Sequence, residues 1–384
     1  MDIEDFFPTQ QIHLVRTVNG ANAFVPPALP PKSVDYGELA LELVGAAPAV
    51  GELKGAARRL SNPYMLIMPL IQKEALTSSA MEGTITTIEN MIIQQAAPAS
   101  VKDESAREAS NYVRAVQKAV KQLQALPISH RVIKDAHSAL LADLSPARGQ
   151  GKRPGEYKPS QNAIGKPGDT EHTARYVPPP PAETLAAMDD LEKFINREDR
   201  KPGEALVDMA LAHYQFEAIH PFLDGNGRVG RMLVTLMAMQ TELLDLPLLH
   251  VSAEIEKDKE EYTEALFAVS THGLWDSWIK YFLGIVKGSC ESATKKVDDI
   301  LQLEKDLKQR AMATRKNHRL NSIIESLFTQ HWITATEAQK ICKTHFQTAQ
   351  ADLQQLVEAG ILTTIQGSRP LLYVAHEVWS VSNR

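Results

Sequence analysis

The twelve residues from His220 to Arg231 read His-Pro-Phe-Leu-Asp-Gly-Asn-Gly-Arg-Val-Gly-Arg. Helical apolar periodicity precedes them from Glu204 to Ile219 and returns from Arg228 to Leu244, so the run is a loop that closes one helix and opens the next. Gly225, Asn226 and Gly227 can then offer backbone N–H groups at a helix N-terminus, where the dipole adds roughly half a positive charge. Arg228 and Arg231 stand three apart on that helix and carry bidentate donors suited to phosphate oxygens. Asp224 would repel a bare phosphate, so its place beside the cradle makes sense with a bridging Mg2+. His220 lies just outside, where a neutral imidazole can take a proton from an incoming hydroxyl. Phe222 reads as the anchor that fixes the loop in the core. Each residue alone is commonly part of a plain surface turn. Five polar groups in this order between two helices instead describe a phosphoryl- or nucleotidyl-transfer site.

The rest of the composition fits an ordinary globular chain. At 384 residues it is long enough for two or three folded units, each with its own core. Hydrophobic residues make up 43% and aromatics only 6%, and abundant alanine, leucine and methionine favour helices over sheets. A formal charge of −6 argues against a broad nucleic-acid-binding surface. Cys290 and Cys342 have no zinc or disulfide spacing, which fits a reducing, cytoplasmic location. No basic leader opens the chain and no apolar run approaches about 18 residues, so neither secretion nor membrane association is expected.

Working outward, prolines at 8, 26, 27, 30, 31 and 48 predict an extended opening with one short helix over 34–44. Helices follow over 63–76, 85–93, 104–125 and 129–142. Glycines and prolines between Gly149 and Pro181 break the pattern, and a β-hairpin with its turn at Lys166-Pro167-Gly168-Asp169 is expected there. Helices resume over 182–196 and, beyond the loop, over 257–270 and 274–286, with Trp275, Trp278, Met232, Met237 and Met239 as packing residues. A charged connector covers 295–319. Helices near 318–329, from a Thr334–Glu337 capping box onward, and over 346–359, then a hairpin over 361–375, give the layout of a winged helix-turn-helix. The expected fold is mainly α. Its divisions are an N-terminal region (1–103), a catalytic core (104–290), a connector (291–316) and a winged-helix unit (317–384).

The run His220–Arg231 resembles, without departure, the His-x-Phe-x-Asp-Gly-Asn-Gly-Arg-x-x-Arg motif of the Fic family, and Ala212–Ile219 before it is similar too. The resemblance implies a helical Fic core that transfers AMP from ATP to a Ser, Thr or Tyr hydroxyl of a target protein. His220 would be the base and Asp224 the Mg2+ ligand. Gly225, Asn226 and Gly227 would cradle the phosphates, with Arg228 and Arg231 on β and γ. In the related Doc branch the position of Gly225 is lysine and the reaction is phosphoryl transfer, so glycine implies AMP transfer. Gln161, Asn162, Ala163 and Ile164 resemble the family's hairpin flap, which holds the target segment by strand pairing. Tyr262 resembles the tyrosine that lines the adenine pocket, or is an ordinary helix tyrosine.

Ser78-Ser79-Ala80-Met81-Glu82-Gly83 matches the family's inhibitory pattern. On a helix Ser78 and Glu82 share a face. By the resemblance Glu82 pairs with Arg231 and displaces the γ-phosphate, while its own charge repels that phosphate. Two further readings stay open: removal of AMP from a modified protein with Glu82 as a catalytic group, and a DNA-binding regulator whose Fic domain senses nucleotide. The presumed recognition helix carries Lys343, Thr344, His345, Gln347, Thr348 and Gln350, with Arg369 on the wing, and is barely basic, so DNA is the weaker partner. Protein docking, self-modification and a homodimer complete the expected partners.

Overall fold

The computed structural model describes residues 1–384 except 33, 61, 97–102, 167, 202, 315–316, 366–367, 369 and 384. The chain opens with helix α1 (Pro8–Gln11) and an antiparallel hairpin of β1 (Leu14–Arg16) and β2 (Asn22–Phe24). Helices α2 (Ala40–Ala57), α3 (Tyr64–Met81), α4 (Ile88–Ala96), α5 (Glu104–Gln122) and α6 (His130–Leu140) follow. After a long irregular arm come α7 (Pro181–Ile195), α8 (Ala205–Ile219), α9 (Asn226–Gln240), α10 (Ser252–Glu256), α11 (Lys259–His272) and α12 (Trp275–Thr314). The chain ends with α13 (Arg319–Gln330), β3 (Trp332–Ile333), α14 (Ala335–Cys342), α15 (Phe346–Glu358), β4 (Thr363–Ile365), β5 (Leu372–Val374) and α16 (His376–Asn383). No helix among the described residues is long and apolar enough to cross a membrane.

Helices α8 and α9 are apolar on nearly every side and therefore sit at the centre, packed on each other and wrapped by α3, α5, α7 and α12. Amphipathic α5 shows the opposite economy. Its Ala106, Ala109, Val113 and Val116 form one buried stripe, and Asp103 caps its start by accepting the Ser105 N–H at 2.9 Å. Helix α3 ends where Glu82 caps it and Gly83 takes a left-handed conformation (φ +83°), the usual stop for a helix. The Gly that completes the expected inhibitory pattern thus sets where Glu82 sits.

Several elements differ from the sequence reading, and the hairpin expected between Gly149 and Pro181 is reduced to one backbone bridge, Ile164 to Tyr176. The β1–β2 hairpin occupies part of the expected extended opening. Helix α2 starts later than 34 and runs through Pro48, which is exposed; buried Ala46, Ala49, Val50 and Leu53 pack it on α12 and outweigh the roughly 3 kcal/mol cost of an internal proline. The expected helix over 274–286 and most of the connector are one helix, α12. Its buried residues Trp278, Phe282, Val286, Cys290, Ala293, Val297 and Ile300 continue a single stripe past residue 290.

Beyond α12, α13–α15 pack with an antiparallel sheet of order β3-β5-β4. The expected capping box is present: Thr334 Oγ1 accepts the Glu337 N–H at 3.2 Å, and Glu337 accepts the Thr334 N–H at 2.8 Å. Arg310 ties this unit to α12 through Glu377 at 2.8 Å and the Gly360 carbonyl at 2.9 Å. Helices α13 and α16 also pack on α3. Pro167 of the expected turn and Gln366, Gly367 and Arg369 of the expected wing lie outside the described residues.

Candidate active site

The loop between α8 and α9 is tied down by its own residues. His220 ends α8 in the left-handed region (φ 48°), an uncommon conformation for a side chain with a β-carbon. The Asn226 side chain accepts the Phe222 N–H and donates to the Phe222 carbonyl, both at 2.8 Å, closing the loop on itself. Phe222 is fully buried, its ring stacked on His137 at 3.8 Å between centroids. His137 Nδ1 accepts the Gly155 N–H at 2.9 Å, so the hydrogen sits on Nε2 and is donated to the Asp224 carbonyl at 3.0 Å. Burial pushes His137 down to about 4 and keeps it neutral in this role. Phe222→Ala is therefore expected to cost about 3–5 kcal/mol of stability, read from urea unfolding, because it empties the packing under the loop.

Glu82 and Arg231 meet above this loop. Arg231 is almost fully buried; its Nη2 donates to Glu82 Oε1 at 2.9 Å and to the Ser78 carbonyl at 3.0 Å, and its Nε donates to Ser78 Oγ at 2.9 Å. Burial acts to raise the Glu82 carboxyl, but Arg231, with Arg228 and Lys259 behind it, holds it below its ordinary value. The same carboxylate lies against the start of α9. A β-carbon on Gly227 would run into it and would stand 2.8 Å from Arg231 Nη1. Glu82 thus occupies the face of the helix N-terminus that an anion would take.

His220, Gly227, Arg231, Glu82 and Tyr262 share the wall of one cavity of about 480 Å³. The His220 imidazole is held down to about 4 by burial, with Lys158 acting in the same direction and Glu82 opposing it. Tyr262 is buried and bonded through its hydroxyl to His213 Nε2 at 2.8 Å, while His213 Nδ1 meets the Gly230 carbonyl at 3.1 Å. Trp278 stacks on His213 and donates to the Ala210 carbonyl at 2.8 Å, which makes it a core residue. Ile164 and Tyr176, at the cavity mouth, exchange backbone hydrogen bonds of 2.8 and 3.1 Å. Of the other expected flap residues, Gln161 donates to the Pro178 carbonyl at 2.9 Å, Asn162 donates to the His220 and Phe222 carbonyls, both at 3.0 Å, and Ala163 packs near Ala174 and Val177.

The two arginines part company. Arg228 turns from Arg231 toward α5, is almost fully buried, and pairs with Glu108 and with Asp224 Oδ1, the latter at 3.2 Å. Asp224 Oδ1 also accepts the Gly225 N–H at 2.6 Å, and its side chain is 37% exposed. Neither Arg228 nor Asp224, Gly225 or Asn226 belongs to the cavity wall. No cluster of three or more His, Cys, Asp or Glu that could hold a metal occurs among the described residues. A lone, partly exposed carboxylate still fits Mg2+ that arrives with a nucleotide, since that ion keeps waters and phosphate oxygens as its other ligands. The sequence reading did not single out Lys158, Glu217, Lys259, His137 or Glu108. Glu217 lines the cavity and is pushed up to about 7 by burial, against Arg231. Lys259 donates to the Met81 carbonyl at the end of α3. No local pattern marks these residues, because each acquires its partner from a distant segment.

Two family matches lie along the chain. Residues 41–121 match the family described as Fic/DOC family N-terminal, and residues 127–238 match the Fic/DOC family, together half of the chain. The chain belongs to the Fic/DOC family. The protein adenylyltransferase Fic of Drosophila ananassae is 30% identical over 118 residues, which are 31% of this chain and 21% of that protein. The adenylyltransferase Fic of Drosophila grimshawi is 31% identical over 118 residues, 31% of this chain and 22% of its own. The chain thus spans about a fifth of the length of these curated relatives. In fold it is similar to a Fic family protein from Desulfovibrio desulfuricans G20, at 18% identity and a TM-score of 0.53, covering 90% of this chain and 98% of that one.

Proposed function

We propose that the protein is an adenylyltransferase that moves AMP from ATP to a hydroxyl side chain of a target protein and is held in check by Glu82. The observation that carries this reading is the single cavity shared by His220, Gly227, Arg231 and Tyr262, with the Ile164–Tyr176 backbone pair at its mouth. The target hydroxyl oxygen attacks the α-phosphorus, pyrophosphate leaves, and His220 accepts the hydroxyl proton. Gly227 and the N-terminus of α9 stabilise phosphate charge, and Arg231, once free of Glu82, binds the γ-phosphate. Tyr262 packs beside the base. Asp224 would hold Mg2+, which supplies charge neutralisation for the departing pyrophosphate. The flap edge takes the target segment by backbone pairing, which tolerates varied target sequences.

The position of the label in ATP tests the reaction type. The Glu82→Gly enzyme, incubated with protein extract, should label protein from ATP carrying label in the α-phosphate and not from ATP labelled in γ. Label from γ instead would make it a phosphotransferase and sink this reading. EDTA should reduce the α-label to background, because the metal carries charge that no side chain replaces.

For the unit from α13 to α16, the order of helices and strands supports a winged helix-turn-helix. Helix α15 has no Lys or Arg, which favours a protein partner over DNA.

A further inference from the structure

Lys158 is 3% exposed, yet among the described residues no carboxylate stands within ion-pairing distance of it. An ammonium buried without a counter-ion is unfavourable, and burial pulls this one down to about 7. Its contacts explain where it is spent. Lys158 Nζ donates to Asn162 Oδ1 at 2.7 Å and to the Ile219 carbonyl at 3.2 Å, and its backbone N–H donates to the Pro221 carbonyl at 2.8 Å. Asn162 Nδ2 donates to the His220 and Phe222 carbonyls, both at 3.0 Å. Four consecutive carbonyl oxygens, from Ile219 to Phe222, are thus held by two residues of the irregular arm that leads to the flap.

Those four residues are the turn that carries the imidazole, and His220 sits in it with a left-handed backbone. A strained turn persists when its surroundings over-determine it, and a clamp on every carbonyl does that. The arm also supplies charge. The groups facing the His220 ring are Lys158 from the arm, Glu82 at the end of α3, and the Glu217 carbonyl on α8 at 3.4 Å from Nδ1. Arg231 from α9 and Lys259 from α11 line the same cavity. Lys158 acts on the imidazole in opposition to Glu82.

We propose that Lys158, acting with Asn162, is a positioning residue for proton transfer at His220: the pair fixes the turn that aims the imidazole. The proposal rests on the reading of His220 as the base. It also joins the flap to the catalytic loop, so that a target segment paired on the flap edge bears on the arm that holds the base.

The test uses full-length protein in a Glu82→Gly background with Lys158→Met, Lys158→Arg and Asn162→Ala. Two measurements are made: the titration of the His220 ring by NMR, which needs no turnover, and kcat and KM for ATP. Lys158→Met should move the ring titration upward, because a cation that disfavours imidazolium is gone. It should also lower kcat by about tenfold or more while KM for ATP stays within about twofold, since aim and not nucleotide binding is lost. Lys158→Arg should restore the titration. Asn162→Ala, which removes one of the two acceptors of the Lys158 ammonium and the bonds to the His220 and Phe222 carbonyls, should lower kcat in the same way and move the titration less than Lys158→Met does. Parental titration and kcat in both Lys158→Met and Asn162→Ala would overturn the proposal, as would a loss confined to KM. If the Glu82→Gly parent itself transfers no AMP, the functional reading fails; an unshifted ring in an active parent fails this inference alone.

Discussion

Replacing His220 by alanine in a Glu82→Gly background is expected to lower AMP transfer by about two to four orders of magnitude, the usual worth of a positioned base. The expectation follows from where the ring is held. His220 caps α8, lies in the wall of the cavity beside Gly227 and Arg231, and is fixed by hydrogen bonds from the arm to its own and neighbouring carbonyls. Its imidazole is neutral at physiological pH because burial, aided by Lys158, pulls it down to about 4. A base poised that low is unprotonated across the neutral range. Removing Glu82 takes away a group that raises it, so in the Glu82→Gly enzyme protonation of His220 should limit the rate only well below neutrality, and a change of rate near pH 7 would report Lys158 or Glu217, both held at about 7. Binding of ATP, measured by calorimetry, should survive His220→Ala, since the phosphates are held by α9 and Arg231. A variant within about threefold of its parent would mean that another group takes the proton.

The parts of the fold written locally were legible in the chain. Helices α8 and α9 and the loop between them follow from apolar periodicity interrupted by Asp-Gly-Asn-Gly, whereas α3, expected over 63–76, runs on to Met81 before Gly83 stops it. The pairing of Glu82 with Arg231 joins residues far apart in sequence, and only the resemblance of both motifs brought them together beforehand. Arg228 shows the limit of spacing arguments. Three residues along a helix put Arg228 near the face of Arg231, yet buried Glu108 on α5 draws it the other way. Nothing near Arg228 in the sequence announces Glu108. Lys158 was hidden for the same reason: its value lies in carbonyls of a loop some sixty residues later. Helix α12 was legible in pieces but not in length, because a charged surface stripe masks the buried one that runs through residue 290.

Glu82→Gly is expected to raise AMP transfer by about 10- to 100-fold, the span set by about 1.5–3 kcal/mol for a charge-assisted hydrogen bond at about 1.4 kcal/mol per tenfold. Two obstacles leave together. The first is competition for Arg231, whose Nη2 is given to Glu82 at 2.9 Å and so cannot be given to a γ-phosphate. The second is the carboxylate itself, which lies against Gly227 at the start of α9 and repels any phosphate approaching the same donors. Glu82→Gln separates the two, since an amide keeps the bulk and loses the charge; it should fall between the wild type and Glu82→Gly. Ser78 also holds Arg231, through its hydroxyl and its carbonyl, so Ser78→Ala added to Glu82→Gly should give a further gain smaller than the first. Acidification is no substitute for the mutation, because Arg231 holds the Glu82 carboxyl below its ordinary value and the pair stays ionised through the physiological range. On the proposed reading, a move of the end of α3 would free Arg231 where a change of pH would not. The end of that helix is bonded to Arg231 and Lys259, and α13 and α16 pack on the helix as well. Initial rates of protein labelling from α-labelled ATP decide the matter: equal rates for wild type and Glu82→Gly would mean that Arg231 already reaches the nucleotide and that the ion pair is structural.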